Sequence, residues 1–145
     1  MIKRNFWMLV KCIETKFKSI KDTAIQEHLN KYSTMGEIDL SIGLHYQVFG
    51  IFFRDGIPWY LICEEADDEY PRPNCSVFFE LVDGSVSPGW SFSLNDSNVG
   101  KVSLLPDEWA ADPSFLEKLV DEDAAAISRF NDIKVTEEKH THRLK

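Results

Sequence analysis

The chain has 145 residues, 43% of them hydrophobic and 12% aromatic, which excludes a disordered polypeptide and supplies the apolar surface for one real core. Its formal charge of −8 is unevenly spread: residues 1–36 hold seven Lys or Arg against three Asp or Glu, residues 37–133 five against nineteen, and residues 134–145 four against two. A body this acidic repels phosphate backbones, so direct nucleic-acid binding is not expected and a basic protein partner is favoured.

Three cysteines, Cys12, Cys63 and Cys75, have no CxxC spacing and read as reduced thiols of a cytoplasmic protein. A bridge between Cys63 and Cys75, which flank an acidic stretch, is the disulfide that this spacing leaves open. The N-terminus is basic with a short apolar patch, but no small-residue cleavage site follows it, so a signal peptide is not expected. No apolar run approaches the roughly 18 residues that a membrane span needs.

In chain order, Phe6, Leu9, Val10, Ile13, Phe17 and Ile20 follow one another mostly at steps of three and four, which predicts a first helix with a lysine-rich outer face. A second helix is predicted over Asp22–Tyr32, with Asp22 as its cap, and residues 33–36 break it. From Glu37 the period becomes two: Ile38, Leu40, Ile42 and Leu44, then Tyr46, Val48, Gly50 and Phe52, read as strand. Asp55-Gly56 between apolar runs is a hairpin signal, because the primed turns need positive φ. The return strand carries Trp59, Leu61 and Cys63.

That strand cannot continue into residues 64–74, where Glu64, Glu65, Asp67, Asp68 and Glu69 repel one another and Pro71 and Pro73 lack ladder donors; a long exposed loop is predicted. Strand signals resume over Cys75–Val82, Asp83-Gly84 reads as a turn, Trp90–Leu94 as a one-sided strand, and Val99–Leu105 as an edge strand. A turn of helix follows at Pro106–Trp109. Asp112-Pro113 then starts a helix whose apolar stripe runs from Phe115 to Phe130, with Asp121, Glu122 and Asp123 on its solvent side. From Lys134 the basic, aperiodic chain reads as a frayed tail.

The order of these elements predicts an α+β fold: N-terminal helices, a central antiparallel sheet of about four to five strands in meander-like order, and a C-terminal helix packed on the sheet. Residues 1–133 read as a single domain and residues 134–145 as a basic, flexible tail.

Chemistry-bearing motifs are sparse. There is no glycine-rich phosphate loop, no GxSxG, no HExxH and no paired-cysteine zinc spacing. His45 beside Cys63 or Cys75 is the one nucleophile pairing that the predicted strands permit, and a structural histidine is the simpler account. His140 and His142 read as incidental surface residues. The loop carboxylates do not follow the spacing of an EF-hand, so no cofactor and no metal are expected.

A compact, acidic chain without a catalytic set, carrying an acidic loop flanked by Trp59 and Tyr70, resembles the immunity proteins of bacterial toxin systems, in particular those that protect against contact-dependent growth inhibition toxins. The resemblance is a general one and implies a non-enzymatic inhibitor that binds the C-terminal toxin domain of a delivered effector, often a nuclease. On that resemblance Glu64, Glu65, Asp67, Asp68 and Glu69 meet Lys or Arg of the toxin, Tyr70 and Trp59 act as anchors, and Asp121, Glu122 and Asp123 form a second patch. A monomer or weak dimer that binds neither membrane nor nucleic acid is expected. Two other readings compete with it: a small metal-dependent enzyme using the acidic loop, and a membrane- or RNA-associated adaptor using the basic N-terminal helix.

Overall fold

A computed structural model describes residues 2–94 and 102–142. No N-terminal helix forms at residues 6–20. Two strands, β1 (Ile2–Phe6) and β2 (Met8–Cys12), take its place, followed by a 3-10 turn at Phe17–Ser19. The segment satisfies a second period as well as the helical one. Met8, Val10 and Cys12 alternate into the core, whereas Ile13, required by the helical stripe, is exposed. The helix that does form is α1 (Thr23–Tyr32), capped as expected by the Asp22 side chain, which accepts from the Ile25 N–H at 3.2 Å.

The alternation over residues 37–44 does not produce a strand. Those residues run as bends and turns through Gly43, whose φ is 93°, and β3 (His45–Gln47) begins only afterwards. The chain then changes sheets at Val48 and Phe49. Val48 N donates to Met8 O at 3.0 Å and Phe49 N to Leu61 O at 2.8 Å, so consecutive residues serve different ladders. Beyond this corner β4 (Gly50–Arg54) and β5 (Ile57–Ile62) form the predicted hairpin, with φ of 53° at Asp55 and 80° at Gly56, the signs a type I′ turn needs. Gly50 fits a crowded corner, since a Cβ there would stand 2.8 Å from Leu105 Cδ2 and 3.3 Å from Leu104 O and would force the Leu105 side chain to shift.

The strand predicted at Cys75–Val82 is divided. β6 (Arg72–Cys75) lies along β5, a 3-10 turn at Ser76–Phe78 makes a second corner, and β7 (Phe79–Gly84) joins β2. Pro73 is tolerated because β6 is an edge strand. Asp83-Gly84 is paired with Leu9 and Met8 and is therefore strand, not turn. β8 (Trp90–Ser93) and β9 (Val102–Pro106) complete the large sheet, in the order β6-β5-β4-β9-β8; β3-β2-β7 form a second sheet, and β1 pairs with a last strand, β10 (Glu138–His142). All pairings are antiparallel. The predicted edge strand is thus internal, bonded to β4 and β8, and residues 99–101 of that prediction lie outside the described residues. The one-sided strand, β8, is instead the edge opposite β6, and its Phe92 is 63% exposed, contrary to the inward face expected of it.

The short helical turn expected after Pro106 is α2 (Asp107–Ala110), and the helix expected from Asp112 is divided into α3 (Phe115–Val120) and α4 (Ala124–Thr136). The break falls at Asp121–Asp123: Glu122 takes a φ of 61°, and Asp123 caps α4 by accepting from Ala126 N at 2.9 Å. These acids therefore sit in a turn and not on a helix face. The side chain of Asp112 accepts from Ser114 N at 3.0 Å in the turn ahead of α3, which starts later than predicted. The segment read as a frayed tail continues α4 to Thr136 and then enters β10. Phe130 of α4 is fully buried, with its ring 5.3 Å from Phe49 at the first corner and 6.4 Å from Trp109. The fold is α+β with antiparallel sheets and a C-terminal helix. Two main sheets joined at corners replace the single central sheet, and α1, between β2 and β3, is the only α-helix ahead of β3 among the described residues.

Candidate docking surface

The acidic stretch leaves β5 at Ile62, where the alternation of apolar residues ends, and returns to the sheet at Arg72. It is folded on itself. Asp68 N donates to Glu65 O at 3.1 Å, and Glu65 N donates to Asp68 Oδ2 at 3.0 Å, so that Asp68 organises a tight turn through its own side chain. Lys134 braces the loop from α4, its Nζ lying 5.2 Å from the centre of the Phe130 ring while donating to Ala66 O at 3.1 Å and to Asp68 O. The lysine thus satisfies carbonyls and not the loop carboxylates. Among the described residues, no Lys, Arg or His forms an ion pair with Glu64, Glu65, Asp67, Asp68 or Glu69. Uncompensated charge of this kind is stabilised only by water or by a partner.

Beside the loop lies a groove of about 190 Å³, between β6 and the irregular segment that follows α1. Phe17, Leu29, Trp59 and Phe78 form its buried floor. Glu37 and Asp39 stand on one wall, and Glu64, the first acid of the loop, with Arg72 on the other. The wall after α1 is held by backbone bonds from Phe17 N to Gly36 O at 3.0 Å and from Ile38 N to Thr15 O at 2.9 Å. The Arg72 guanidinium lies 6.0 Å from the centre of the half-buried Tyr70 ring, which ties the last residue of the loop to the groove. Loop and groove are therefore one continuous surface.

Trp59, expected to act as an anchor, lies in the floor of the groove. It is buried, and its indole Nε1 donates to His28 Nε2 at 2.9 Å. Because an indole only donates, His28 must accept at Nε2 and, as a neutral ring, carries its proton at Nδ1. Nδ1 lies 3.3 Å from Asp55 Oδ2, close but poorly aligned for a hydrogen bond. Asp55 Oδ2 also receives Lys31 Nζ and the Tyr32 hydroxyl, both at 3.1 Å. The Lys31 hydrogen bond, helped by that of Tyr32, holds the Asp55 carboxyl below the usual carboxylate range against partial desolvation. Arg54 completes the cluster, its guanidinium carbon 4.6 Å from the Trp59 ring centre and 4.7 Å from that of Tyr32. This network locks α1 to the β4–β5 hairpin and fixes the groove floor. His28 and Tyr32 share one helix face at a spacing of four, the one local trace of this network in the sequence and one that the sequence reading did not use.

The remaining expectations separate clearly. Asp121, Glu122 and Asp123 are exposed at the start of α4, whereas Lys134, which touches the loop, is ten residues further along, about 15 Å at a helical rise. The structure does not bring the two acidic patches together. All three cysteines are free, and Cys75 pairs with Trp59 across β5 and β6, four residues short of Cys63, so the suggested disulfide has no geometry. Burial pushes the Cys63 thiol up to about 12 and raises Cys12 and Cys75 as well, which makes none of them a ready nucleophile. His45 is exposed on β3, in the other sheet from Cys75.

Among the described residues, no three His, Cys, Asp or Glu side chains are placed to hold a metal ion. The basic amphipathic helix needed by a membrane or RNA adaptor is absent, its residues being strands and a 3-10 turn. Among the described residues, no helix is long and apolar enough to cross a membrane. Compared with protein-family models, curated proteins and solved structures, the chain matches none.

Proposed function

We propose that this protein is a non-enzymatic, cytoplasmic immunity protein that neutralises a basic bacterial toxin domain of the nuclease class by docking it on the acidic loop and the adjoining groove. One observation carries the reading: five carboxylates within residues 64–69 lie on a folded, braced loop, yet among the described residues no cation pairs with them. A nuclease domain must be basic to hold its substrate, and an acidic partner seated in that substrate groove both steers association and blocks access.

The test uses the full chain and a variant with Glu64→Gln, Glu65→Gln, Asp67→Asn, Asp68→Asn and Glu69→Gln as paired baits in a native lysate, followed by kinetics with the purified partner. A basic protein captured by the parent chain should associate with the variant at least about tenfold more slowly at low salt, with a flatter salt dependence. Unchanged association by the variant would remove the loop from the interface.

A further inference from the structure

The groove is more than the border of the acidic loop, and its contents specify what a partner must present there. Its floor is apolar and buried, and its volume of about 190 Å³ compares with the roughly 150 Å³ that suffices to take up a benzene ring in a protein interior. Three carboxylates, Glu37, Asp39 and Glu64, stand around it and, among the described residues, none of them is in an ion pair. The guanidinium on the wall, Arg72, is already laid over Tyr70. Met35, 75% exposed, adds an adaptable apolar lip at the mouth. The Trp59 indole cannot turn towards an incoming polar group, because its N–H is committed to His28. A floor that offers no free donor, ringed by negative charge, discriminates against acidic and against purely polar occupants.

We propose that the groove is the specificity pocket of the docking surface and takes one aromatic or large aliphatic side chain of the partner, with Lys or Arg on either side of it in sequence. The inserted side chain displaces water from Phe17, Leu29, Trp59 and Phe78, while its cationic neighbours meet Glu37 and Asp39 on one wall and Glu64 on the other. The arrangement is that of a hot spot: an apolar anchor in a preformed pocket within a charged rim. This inference rests on the reading that the acidic face docks a basic protein and adds which part of that face reads the partner's identity.

The experiment titrates two blocked five-residue peptides into the ¹⁵N-labelled full chain at low salt. Both carry two lysines on each side of a central residue, which is phenylalanine in one and alanine in the other. The phenylalanine peptide should bind about tenfold or more tighter and shift the Trp59 indole resonance and the amides of residues 37–40 and 72–75. Leu40→Trp, which fills the groove, should abolish that preference. Asp39→Lys combined with Glu64→Lys, which leaves the floor untouched, should weaken the phenylalanine peptide as well and covers the case in which Leu40→Trp misfolds. Equal binding of the two peptides, with shifts confined to residues 64–69, would overturn the pocket while leaving the acidic loop as a docking surface. Undiminished binding to the charge-reversed chain would overturn the pocket too. Shifts from neither peptide would overturn both the pocket and the docking reading beneath it.

Discussion

Two acidic turns of this molecule lie at opposite ends of β5 and treat their charge in opposite ways. At the hairpin, Asp55 is surrounded by Lys31, Tyr32 and His28, and its carboxylate binds α1 to the sheet. At the other end, the loop of residues 64–69 places five carboxylates in six positions, and its bracing lysine is directed at carbonyls. Charge that serves the fold is matched inside the chain, and charge that the fold leaves unmatched is available to a partner. Net charge counts both turns alike and hides this difference.

The contrast breaks most visibly through stability. Trp59→Ala removes the floor of the groove and the donor to His28, and should cost about 3–5 kcal/mol in urea or guanidinium unfolding. Trp59→Phe keeps most of the packing but leaves the buried His28 Nε2 without its donor, and should cost about 1–3 kcal/mol. Neutralising all five loop carboxylates should cost far less than either Trp59 substitution, since among the described residues they have no ion-pair partners and an amide at position 68 keeps an oxygen to accept from Glu65 N. A large loss from the loop variant, or none from Trp59→Ala, would reverse the roles assigned to the two turns.

A smaller effect sharpens the hairpin side. Asp55→Asn preserves the positive φ that the turn requires, because Asn tolerates that region, and removes only the charge. The Asp55 carboxyl titrates below its ordinary value of 3.8, so its contribution is present above that value and lost as pH falls through the lower folded value. The melting temperature of the variant should accordingly lie slightly below that of the parent at pH 7 and converge with it in strong acid.

The legible and illegible parts of the sequence divide along similar physical lines. Local chemistry was readable: Asp22 as a cap, Asp55-Gly56 as a primed turn, and the acidic loop as something no strand could absorb. Tertiary competition was not. Residues 6–20 carry apolar groups compatible with both helical and strand periods, and only the availability of β7 and β3 as partners for β2 decides between them. The stripe from Phe115 to Phe130 is continuous on a helical wheel, yet Glu122 interrupts it with a left-handed residue that no propensity scale singles out. The groove was hidden for the same reason. Glu37 and Asp39 were assigned to a strand, and their place opposite Glu64 depends on the turn-rich path from residue 33 to residue 44 and on the pairing of β6 with β5.

A third acid completes the comparison, being buried and unmatched at once. Glu137, at the end of α4, is 3% exposed beneath the loop of residues 87–90, and its Oε1 has no hydrogen bond. Burial is the main reason its carboxyl is raised above the ordinary 4.5; Ser87 and Trp90 oppose that rise, and Asp107 adds to it. A folded value above the unfolded one means that stability from this site is fully present below about 4.5 and is lost as pH rises through the folded value. Glu137→Gln keeps the shape and removes the need to bury a charge, so it should match the parent near pH 4 and exceed it in melting temperature at pH 7–8. A difference independent of pH would mean that Glu137 enters the fold already ionised and that hydrogen bonds such as those of Ser87 and Trp90 fully offset its burial.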